Sequence, residues 1–357
     1  MSAPFTTLHT LLATEAAAAS SAVFVYDTTP TNAFGGELLK GDGAEIWQMQ
    51  TRPGAGSALV GFVESVAFSS KGAQALEVEG EDAAGSVPSK RATRSNSLSV
   101  KKARSSTAST ADKPVSILGS AAAFLAVVPA ILSLPPASIR PTLVAHVSAQ
   151  ASSLATDADN NVSLEQVPDL SSIFEGVQAL EASGWTGAVV FSETAADAAF
   201  VGTSVAKGVA GAGFDLVNVF DGVTAGRQHA AIAPSAAASV SGSTLAAVLE
   251  SVVPFFAYYG SATATQVIVL PASTYSASAK AAVAALASAD VGVLVVRVVK
   301  PWNAQAFLSA LPTSTKTLHL FVDDAEQTAG PFHEDVLTTL LTPPGFKLKI
   351  RALPVPS

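Results

Sequence analysis

Short apolar runs rich in Val, Ile and Phe alternate along this chain with Ala-rich stretches of helical length. Runs without polar interruption are typical of strands buried on both faces of a parallel sheet, and the Ala-rich stretches supply the covering helices. The pattern predicts strands at 22–26, 46–51, 142–147, 187–191, 214–220, 267–270, 292–298, 317–322 and 347–351. It predicts helices at 55–68, 119–133, 171–183, 193–210, 243–257, 276–289, 303–310 and 331–341. We therefore expect an α/β fold of parallel sheets with helices on both faces.

Two stretches of low complexity divide this pattern. Residues 71–113 are rich in Ser, Ala, Thr and charge, which predicts a disordered insertion. Residues 230–243 (AAIAPSAAASVSGS) have the composition of a linker. We therefore expect an N-terminal tail at 1–19, a first domain at 20–229 that contains the insertion, the linker, and a smaller α/β domain at 244–357.

Composition and charge exclude several classes of protein. The chain has no cysteine, which excludes disulfides, a cysteine nucleophile and any cysteine-held zinc or iron–sulfur site. The net charge is −8, but the charges are unevenly distributed. Residues 90–104 carry six basic side chains and no acidic one, and the rest of the chain has 14 basic and 28 acidic residues. A body this acidic repels phosphate backbones, and we expect no nucleic-acid partner. The basic stretch predicts a solvated loop, with a kinase site at Ser97 or an import signal as alternatives.

The interval between Lys113 and Arg140 holds 26 uncharged residues behind a basic cluster, which suits a membrane span near 115–134. Gly119 and Pro129 interrupt it, and a buried strand followed by a helix has the same composition. We prefer the strand and helix. Because the N-terminus has no basic residue before its mild apolar stretch, it resembles neither a secretory signal nor a transit peptide, and we expect a cytoplasmic protein.

Few residues indicate chemistry. Gly54, Gly56 and Gly61 follow a predicted strand and open a helix, where glycines let a phosphate approach the backbone. Their spacing departs from G-x-G-x-x-G, and we prefer a tight, closely packed turn. Asp221 follows a strand at the sheet edge where α/β folds bind ligands.

The five histidines show no metal-ligand spacing, so no metal site is expected. His146 and His319 lie inside apolar strands and are expected to be core residues with satisfied hydrogen bonds. No G-x-S-x-G elbow, Walker A loop or paired-carboxylate motif occurs.

Ordered segments resemble a known family. QMQTRPGAGSALVGFVES, LVAHVSAQ and the stretch from Val189 to NVFDGVTAGRQHA are similar to the pyrimidine-binding domain of pyruvate:ferredoxin oxidoreductases, which has a thiamine-diphosphate-binding fold. FFAYYGSATATQVIVLPAST and VGVLVVRVVKPWNAQAFLSALPTSTKTLHLFVDD resemble the domain that follows it, which is similar to the transketolase C-terminal domain. The N-terminal region of the fungal NADPH-dependent sulfite reductase flavoprotein (alpha) subunit carries both domains, and the resemblance to it is closer still.

The resemblance also identifies departures from the catalytic pattern. Arg52 stands where catalytic members have the glutamate that activates thiamine diphosphate, and a guanidinium cannot act as that acid. Gln150 replaces a substrate-binding arginine, whereas Thr29 matches a substrate-binding threonine. We therefore expect no catalytic residue and, at most, a vestigial cofactor site of Thr29, Gly54, Gly56 and Asp221.

Three functions follow as alternatives. The preferred one is a non-catalytic N-terminal region of an assimilatory sulfite reductase flavoprotein subunit, acting in assembly through self-association and contact with the sirohaem iron–sulfur subunit. By resemblance FAD and NADPH would bind elsewhere in the full-length subunit, with no cofactor on this chain and no thiamine diphosphate. The second is a subunit of a thiamine-diphosphate-dependent 2-oxoacid oxidoreductase, and the third is a membrane-attached protein.

Overall fold

The protein is described from a computed structural model that covers residues 6–26, 34, 44–50, 54–79, 113–156, 162–224, 229–230, 242, 244–286, 290–322, 331–341 and 349–354. Its strands are β1 (Thr6–Thr7), β2 (Ala22–Tyr26), β3 (Glu45–Gln48), β4 (Val115–Ser120), β5 (Leu143–Ser148), β6 (Gln150–Thr156), β7 (Val162–Pro168), β8 (Gly187–Ser192), β9 (Asp215–Phe220), β10 (His229–Ala230), β11 (Phe256–Tyr259), β12 (Gln266–Pro271), β13 (Val291–Val296), β14 (Val298–Lys300), β15 (Thr317–Val322) and β16 (Lys349–Pro354). Its helices are α1 (Leu8–Ala19), α2 (Ser57–Glu79), α3 (Ala121–Ser133), α4 (Ser171–Ala182), α5 (Ala195–Phe200), α6 (Ala206–Gly211), α7 (Leu245–Glu250), α8 (Thr274–Leu286), α9 (Ala304–Ala310) and α10 (Pro331–Leu341).

Two mostly parallel sheets form the framework, and the predicted α/β class is confirmed. The first has seven strands in the order β14-β8-β9-β5-β4-β2-β3, all parallel except β14. The second has five strands in the order β11-β13-β12-β15-β16, all parallel except β11. Strands β2, β5, β8 and β9 are buried along their whole length, as expected for strands with helices on both faces.

The N-terminal stretch differs from the expected tail, because most of it forms helix α1. Thr7 caps this helix by accepting a hydrogen bond from the backbone N–H of Thr10. Leu8, Leu12 and Ala16 recur at helical spacing and are buried against the first sheet. Burial of this face holds the N-terminus in the fold.

The described parts of the expected insertion and of the uncharged interval have regular secondary structure. Helix α2 continues to Glu79, so residues 71–79 of the expected disordered insertion are helical, and residues 80–112 lie outside the described part. The interval near 115–134 is strand β4 followed by the 13-residue helix α3. No helix in the described ranges is long and apolar enough to cross a membrane.

The two sheets are joined by one strand switch. The sequence predicts a single strand at 292–298, but the chain leaves the second sheet after β13, passes through Arg297 and pairs as β14 with β8 of the first sheet. The backbone N–H of Arg297 donates to the Phe255 carbonyl at 2.9 Å, and its own carbonyl accepts from Phe191 N–H at 2.7 Å. Aromatic contacts continue the connection through Phe191, Phe174, Phe332, Trp302 and Phe256.

The expected domain boundary at 230–243 falls mostly outside the described residues, which include only Ala230 and Gly242 of that stretch. The predicted helix at 243–257 is shorter than expected. It ends as α7 at Glu250, and the aromatic run that follows forms strand β11. Buried residues of both sheets belong to one hydrophobic cluster, so the two α/β units share a core.

A buried ion pair fixes the amino edge of the first sheet. Asp215 Oδ2 accepts from Arg140 Nη2 at 2.7 Å, and both side chains are nearly inaccessible, at 1% and 3%. The same carboxylate accepts from the Leu143 backbone N–H at 2.8 Å and from Trp185 Nε1 at 2.9 Å. A carboxylate with this many donors ties β9, β5 and the segment before β8 together.

A row of polar side chains crosses the middle of the same sheet on the face covered by α1, α5 and α6. Asn218 Nδ2 donates to the Ala198 carbonyl at 3.1 Å and lies 3.4 Å from His146 Nδ1, while Asn218 Oδ1 accepts from Ser192 Oγ at 3.3 Å. Burial lowers the pKa of His146 to about 4, so the imidazole is neutral at pH 7. His146 is therefore buried in the core, as predicted, but only its Nδ1 has a hydrogen-bond partner among the described residues.

Asp215→Asn should lower the free energy of unfolding by about 3 kcal/mol or more, because it leaves the buried Arg140 guanidinium without a compensating charge. Denaturant unfolding measures this loss. The control is Lys207→Gln, which removes one member of an open ion pair of 3.6 Å to Glu15 and should change stability by about 0.5 kcal/mol at most. Equal effects of the two substitutions would contradict a structural role for the buried pair.

Stability should fall as the pH is lowered from about 6.5 towards 4. In this window the unfolded state binds a proton at His146 and the folded state does not, so this residue lowers the free energy of unfolding by up to about 1.4 kcal/mol per pH unit. His146→Gln should remove that part of the slope in denaturant titrations at several pH values. An NMR titration provides an independent measurement, and a His146 resonance that titrates near pH 6.5 would contradict the prediction.

Candidate functional site

The carboxyl edge of the first sheet is the place where an α/β fold binds ligands, and most of the described sequence candidates lie there. Strands β5 and β9 are neighbours, and they end at Ser148 and Phe220. Gln150 follows β5 by two residues, and Asp221 follows β9 directly. The structure therefore brings Gln150 and Asp221 to adjacent strand ends. Thr29 and Arg52 lie outside the described residues.

The Asp221 carboxylate is engaged in holding its own loop and the second α/β unit. Oδ1 accepts from the backbone N–H groups of Val223 at 2.9 Å and Thr224 at 3.0 Å, and Oδ2 accepts from Thr224 Oγ1 at 3.1 Å. Oδ2 also accepts from the Thr274 hydroxyl at the start of α8. Such Asx turns are a structural use of aspartate, and the side chain is 7% exposed.

The loop after Asp221 closes over the end of β5. A Cβ atom at Gly222 would lie 1.7 Å from Ser148 Oγ and 2.9 Å from Gln150 Oε1, so only glycine fits between them. Ser148 Oγ is also 3.3 Å from Nε2 of His9, a residue of helix α1. His9 in turn contacts the rings of Phe34 and Phe220. This edge is therefore densely packed.

Gln150 is the unusual group at this edge. Its side chain is 3% exposed, and Oε1 is buried without a hydrogen-bond partner among the described residues. A buried acceptor left unpaired costs about 1–3 kcal/mol. The carboxamide therefore presents an acceptor where the resemblance places an arginine, and a donor from outside the described part would stabilise it.

The glycine turn before α2 is a packing feature in this structure. Gly54 has φ of +82°, a conformation that favours glycine, and a Cβ atom at Gly56 would lie 1.9 Å from the Cβ of Ala130 in α3. Tyr26, at the end of β2, donates its hydroxyl to the carbonyl of Ala55 at 3.1 Å. Burial raises the pKa of the Tyr26 phenol, which keeps it a donor at neutral pH.

A small pocket remains between this edge and the second α/β unit. Phe191, Phe220 and Asp221 line it on one side, and Ala272, Ser273 and Tyr275 line it on the other. Its free volume is about 10 Å³, which is space for about one water. In the described part of the chain, no group of three or more His, Asp or Glu side chains could hold a metal ion.

Ion pairs join the two units beside this pocket. Arg297 pairs with Asp197 of α5, and Lys280 Nζ of α8 lies 2.5 Å from Glu193 Oε1. Lys300 Nζ lies 2.6 Å from Glu181 and 3.0 Å from Asp335. Burial, partly offset by Arg297, raises the pKa of Asp197. The Arg297–Asp197 and Lys280–Glu193 pairs hold the second unit beside the carboxyl edge, whereas Lys300 joins α10 to the C-terminal end of α4.

Sequence reasoning missed His9, Ser148 and Thr274 as parts of this edge. The periodicity of Leu8, Leu12 and Ala16 was the one signal that could have placed His9 on a buried helix. No sequence signal connects Thr274 to Asp221, because the two residues are 53 positions apart in the chain and belong to different α/β units.

Gly56→Ala should lower the free energy of unfolding by about 1–3 kcal/mol, because α2 and α3 must move apart to admit the methyl group. The matched control is Gly61→Ala within α2, where a Cβ atom meets nothing within 4 Å. That substitution should stabilise the protein by about 0.5–1 kcal/mol through helix propensity. If Gly56→Ala were as stable as Gly61→Ala in denaturant unfolding, packing would not explain the glycine.

Comparison with known proteins finds a solved structure with a similar fold. No protein-family model and no curated protein sequence matches this chain. The solved structure of a 2-oxoglutarate:ferredoxin oxidoreductase from Magnetococcus marinus, with 2-oxoglutarate, coenzyme A and succinyl-CoA bound, is similar to it with a TM-score of 0.56 and 13% sequence identity. The match covers 100% of this chain and 62% of that chain. The protein therefore has an α/β fold similar to that of a 2-oxoacid:ferredoxin oxidoreductase.

Proposed function

We propose that this chain is a non-catalytic region of an oxidoreductase assembly that uses the fold of 2-oxoacid:ferredoxin oxidoreductases for subunit contacts. The observation that carries the proposal is the use of polar groups at the carboxyl edge. Asp221 holds its own loop and Thr274, and Ser148 lies under Gly222 and beside His9. Groups engaged in this way support structure rather than a reaction.

The lack of space for thiamine diphosphate between the described residues supports the same proposal. The pocket at the edge has a free volume of about 10 Å³, and the Gly222 backbone closes on Ser148 and Gln150. A pocket of this volume has no room for an aminopyrimidine ring. By resemblance, Arg52 and Gln150 also lack the acid and the positive charge that catalytic members use.

More specifically, we propose that the chain is the N-terminal region of an NADPH-dependent sulfite reductase flavoprotein subunit. Its support is the order of the sequence segments that resemble this region on both sides of the insertion. In such an enzyme electrons pass from NADPH through FAD, on other modules of the subunit, to a sirohaem subunit that reduces sulfite to sulfide. This chain would then contribute self-association and contact with the sirohaem subunit in the cytoplasm.

A second candidate is a subunit of a thiamine-dependent 2-oxoacid oxidoreductase that a partner chain completes. The fold comparison favours it, because the similar structure is a 2-oxoglutarate:ferredoxin oxidoreductase. The unpaired Gln150 Oε1 also offers an acceptor for a donor on a ligand or partner. The two candidates differ in whether the chain binds thiamine diphosphate.

Thiamine diphosphate with Mg²⁺ should leave the melting temperature of the purified chain unchanged across a concentration series. Binding at one hundred times Kd would stabilise the folded state by about 2.7 kcal/mol, which a thermal-shift assay detects. Arg52→Glu is the matched variant, since it restores the family acid. A dose-dependent shift in the unsubstituted chain would favour the second candidate, whereas a shift confined to Arg52→Glu would support a site lost through that residue.

Purification of the endogenous protein from its native cell tests the assembly. We expect self-association in sedimentation velocity and co-purification with a sirohaem-containing subunit and flavin absorption. Recovery as a monomer without redox partners would contradict the proposed function. Co-purification with a ferredoxin-reducing 2-oxoacid enzyme would contradict the sulfite reductase assignment alone.

A further inference from the structure

A second pocket lies beside the C-terminal end of helix α1, near the starts of β4 and β5, and the proposed function does not use it. Ser20, Ser116, His146, Gly202 and Thr203 are among the residues that line it, and Glu15 and Lys207 form an ion pair of 3.6 Å at its mouth. Its free volume is about 30 Å³. Since one water needs about 10–15 Å³ of such volume, the pocket has room for about two.

The hydrogen bonds of Asn218 determine what His146 offers to this pocket. Asn218 Nδ2 donates to the Ala198 carbonyl, which fixes the orientation of the amide and directs the same NH₂ group to His146 Nδ1. His146 Nδ1 is therefore the acceptor, and Nε2 carries the hydrogen of the neutral ring. No described residue accepts a hydrogen bond from Nε2, although the side chain is only 2% exposed.

The hydroxyl groups of the lining supply the complementary acceptors. Thr203 Oγ1 donates to the Ala199 carbonyl at 2.8 Å, so its remaining capacity towards the pocket is that of an acceptor. Ser20 Oγ and Ser116 Oγ lie 2.7 Å apart, and one donates to the other, which leaves further acceptor capacity on the pair. The pocket thus combines one N–H donor with several hydroxyl acceptors.

Helix α5 continues into α6 through a π-helical segment, Val201–Val205, which forms one wall of this pocket. Single π-helical turns occur frequently at functional sites. A Cβ atom at Gly202 would lie 2.4 Å from Leu12 Cδ2, 2.8 Å from Asn218 Nδ2 and 3.1 Å from His146 Cε1. The segment therefore brings its backbone directly onto α1 and the polar row.

We propose that this pocket is an internal hydration site, in which one water accepts from His146 Nε2–H and donates to Thr203 Oγ1 and to the Ser20–Ser116 pair. Three hydrogen bonds are the usual number for a buried water. The hydrogen on Nε2 repels a cation, and the free volume of about 30 Å³ matches the space that about two waters need. The pKa of about 4 for His146 agrees with a neutral donor at this site.

NMR of the full chain tests the proposal. We expect the long-range ¹H–¹⁵N spectrum of His146 to show the Nε2–H tautomer, and its ring protons to show exchange contacts with water despite their burial. Thr203→Val removes one acceptor at nearly constant volume and should abolish most of the water contact. The matched control is Thr14→Val in α1, since Thr14 also donates to the carbonyl four residues earlier, at 2.8 Å, but is exposed.

Several outcomes would overturn the proposal. They are the Nδ1–H tautomer, ring protons without water contacts, and equal water contacts in the Thr203→Val and Thr14→Val variants. A shift of the His146 resonances when chloride replaces sulfate would assign the site to a small anion instead. If Thr203→Val fails to fold, a high-resolution crystal structure of the unsubstituted chain decides, since solvent density bonded to His146 Nε2 is expected and a dry pocket contradicts the proposal.

Discussion

The passage of the chain from one sheet to the other at Arg297 is the constraint on which the rest of the structure depends. Its N–H and carbonyl bond to Phe255 and Phe191, and its guanidinium pairs with Asp197. Because β14 then forms the edge of the seven-stranded sheet, the second α/β unit cannot separate without removing a strand from the first. Separation would also divide the hydrophobic cluster that residues of both sheets share.

This constraint also determines what the carboxyl edge can do. The strand switch and the contact of Lys280 with Glu193 bring the start of α8 against the loop at Asp221, where Thr274 donates to its carboxylate. At Asp221, the part of the edge that the structure describes is thereby covered by the second α/β unit. The unpaired Oε1 of Gln150 remains the exception, and it marks the point at which a partner or a ligand would have the most to gain.

The sequence predicted much of the fold because its strands are continuous apolar runs, which burial on both faces requires. The prediction was wrong where the secondary structure depends on a neighbouring strand elsewhere in the chain. The run at 292–298 contains no sign that Arg297 divides it between two sheets, and Phe256–Tyr259 forms a strand only because β13 is beside it. Helix α1 was missed because it is rich in Ala and poor in charge, which is also the composition of a tail. Of the candidate site, Gln150 and Asp221 could be placed at one edge by strand order, but the groups that engage Asp221 could not.

The first sheet has two clusters of polar side chains, at its carboxyl edge and beneath α1, and they differ in how many of their groups have hydrogen-bond partners. At the carboxyl edge, the described hydroxyl and carboxylate groups bond to one another and to the second unit. Beneath α1, the row from Ser192 through Asn218 to His146 ends at an imidazole that lines a pocket large enough for solvent. Buried polar rows are stable only when each member is satisfied, since an unpaired group loses its hydration without compensation. A water at the proposed site would satisfy His146 in the same way that Thr274 helps to satisfy Asp221.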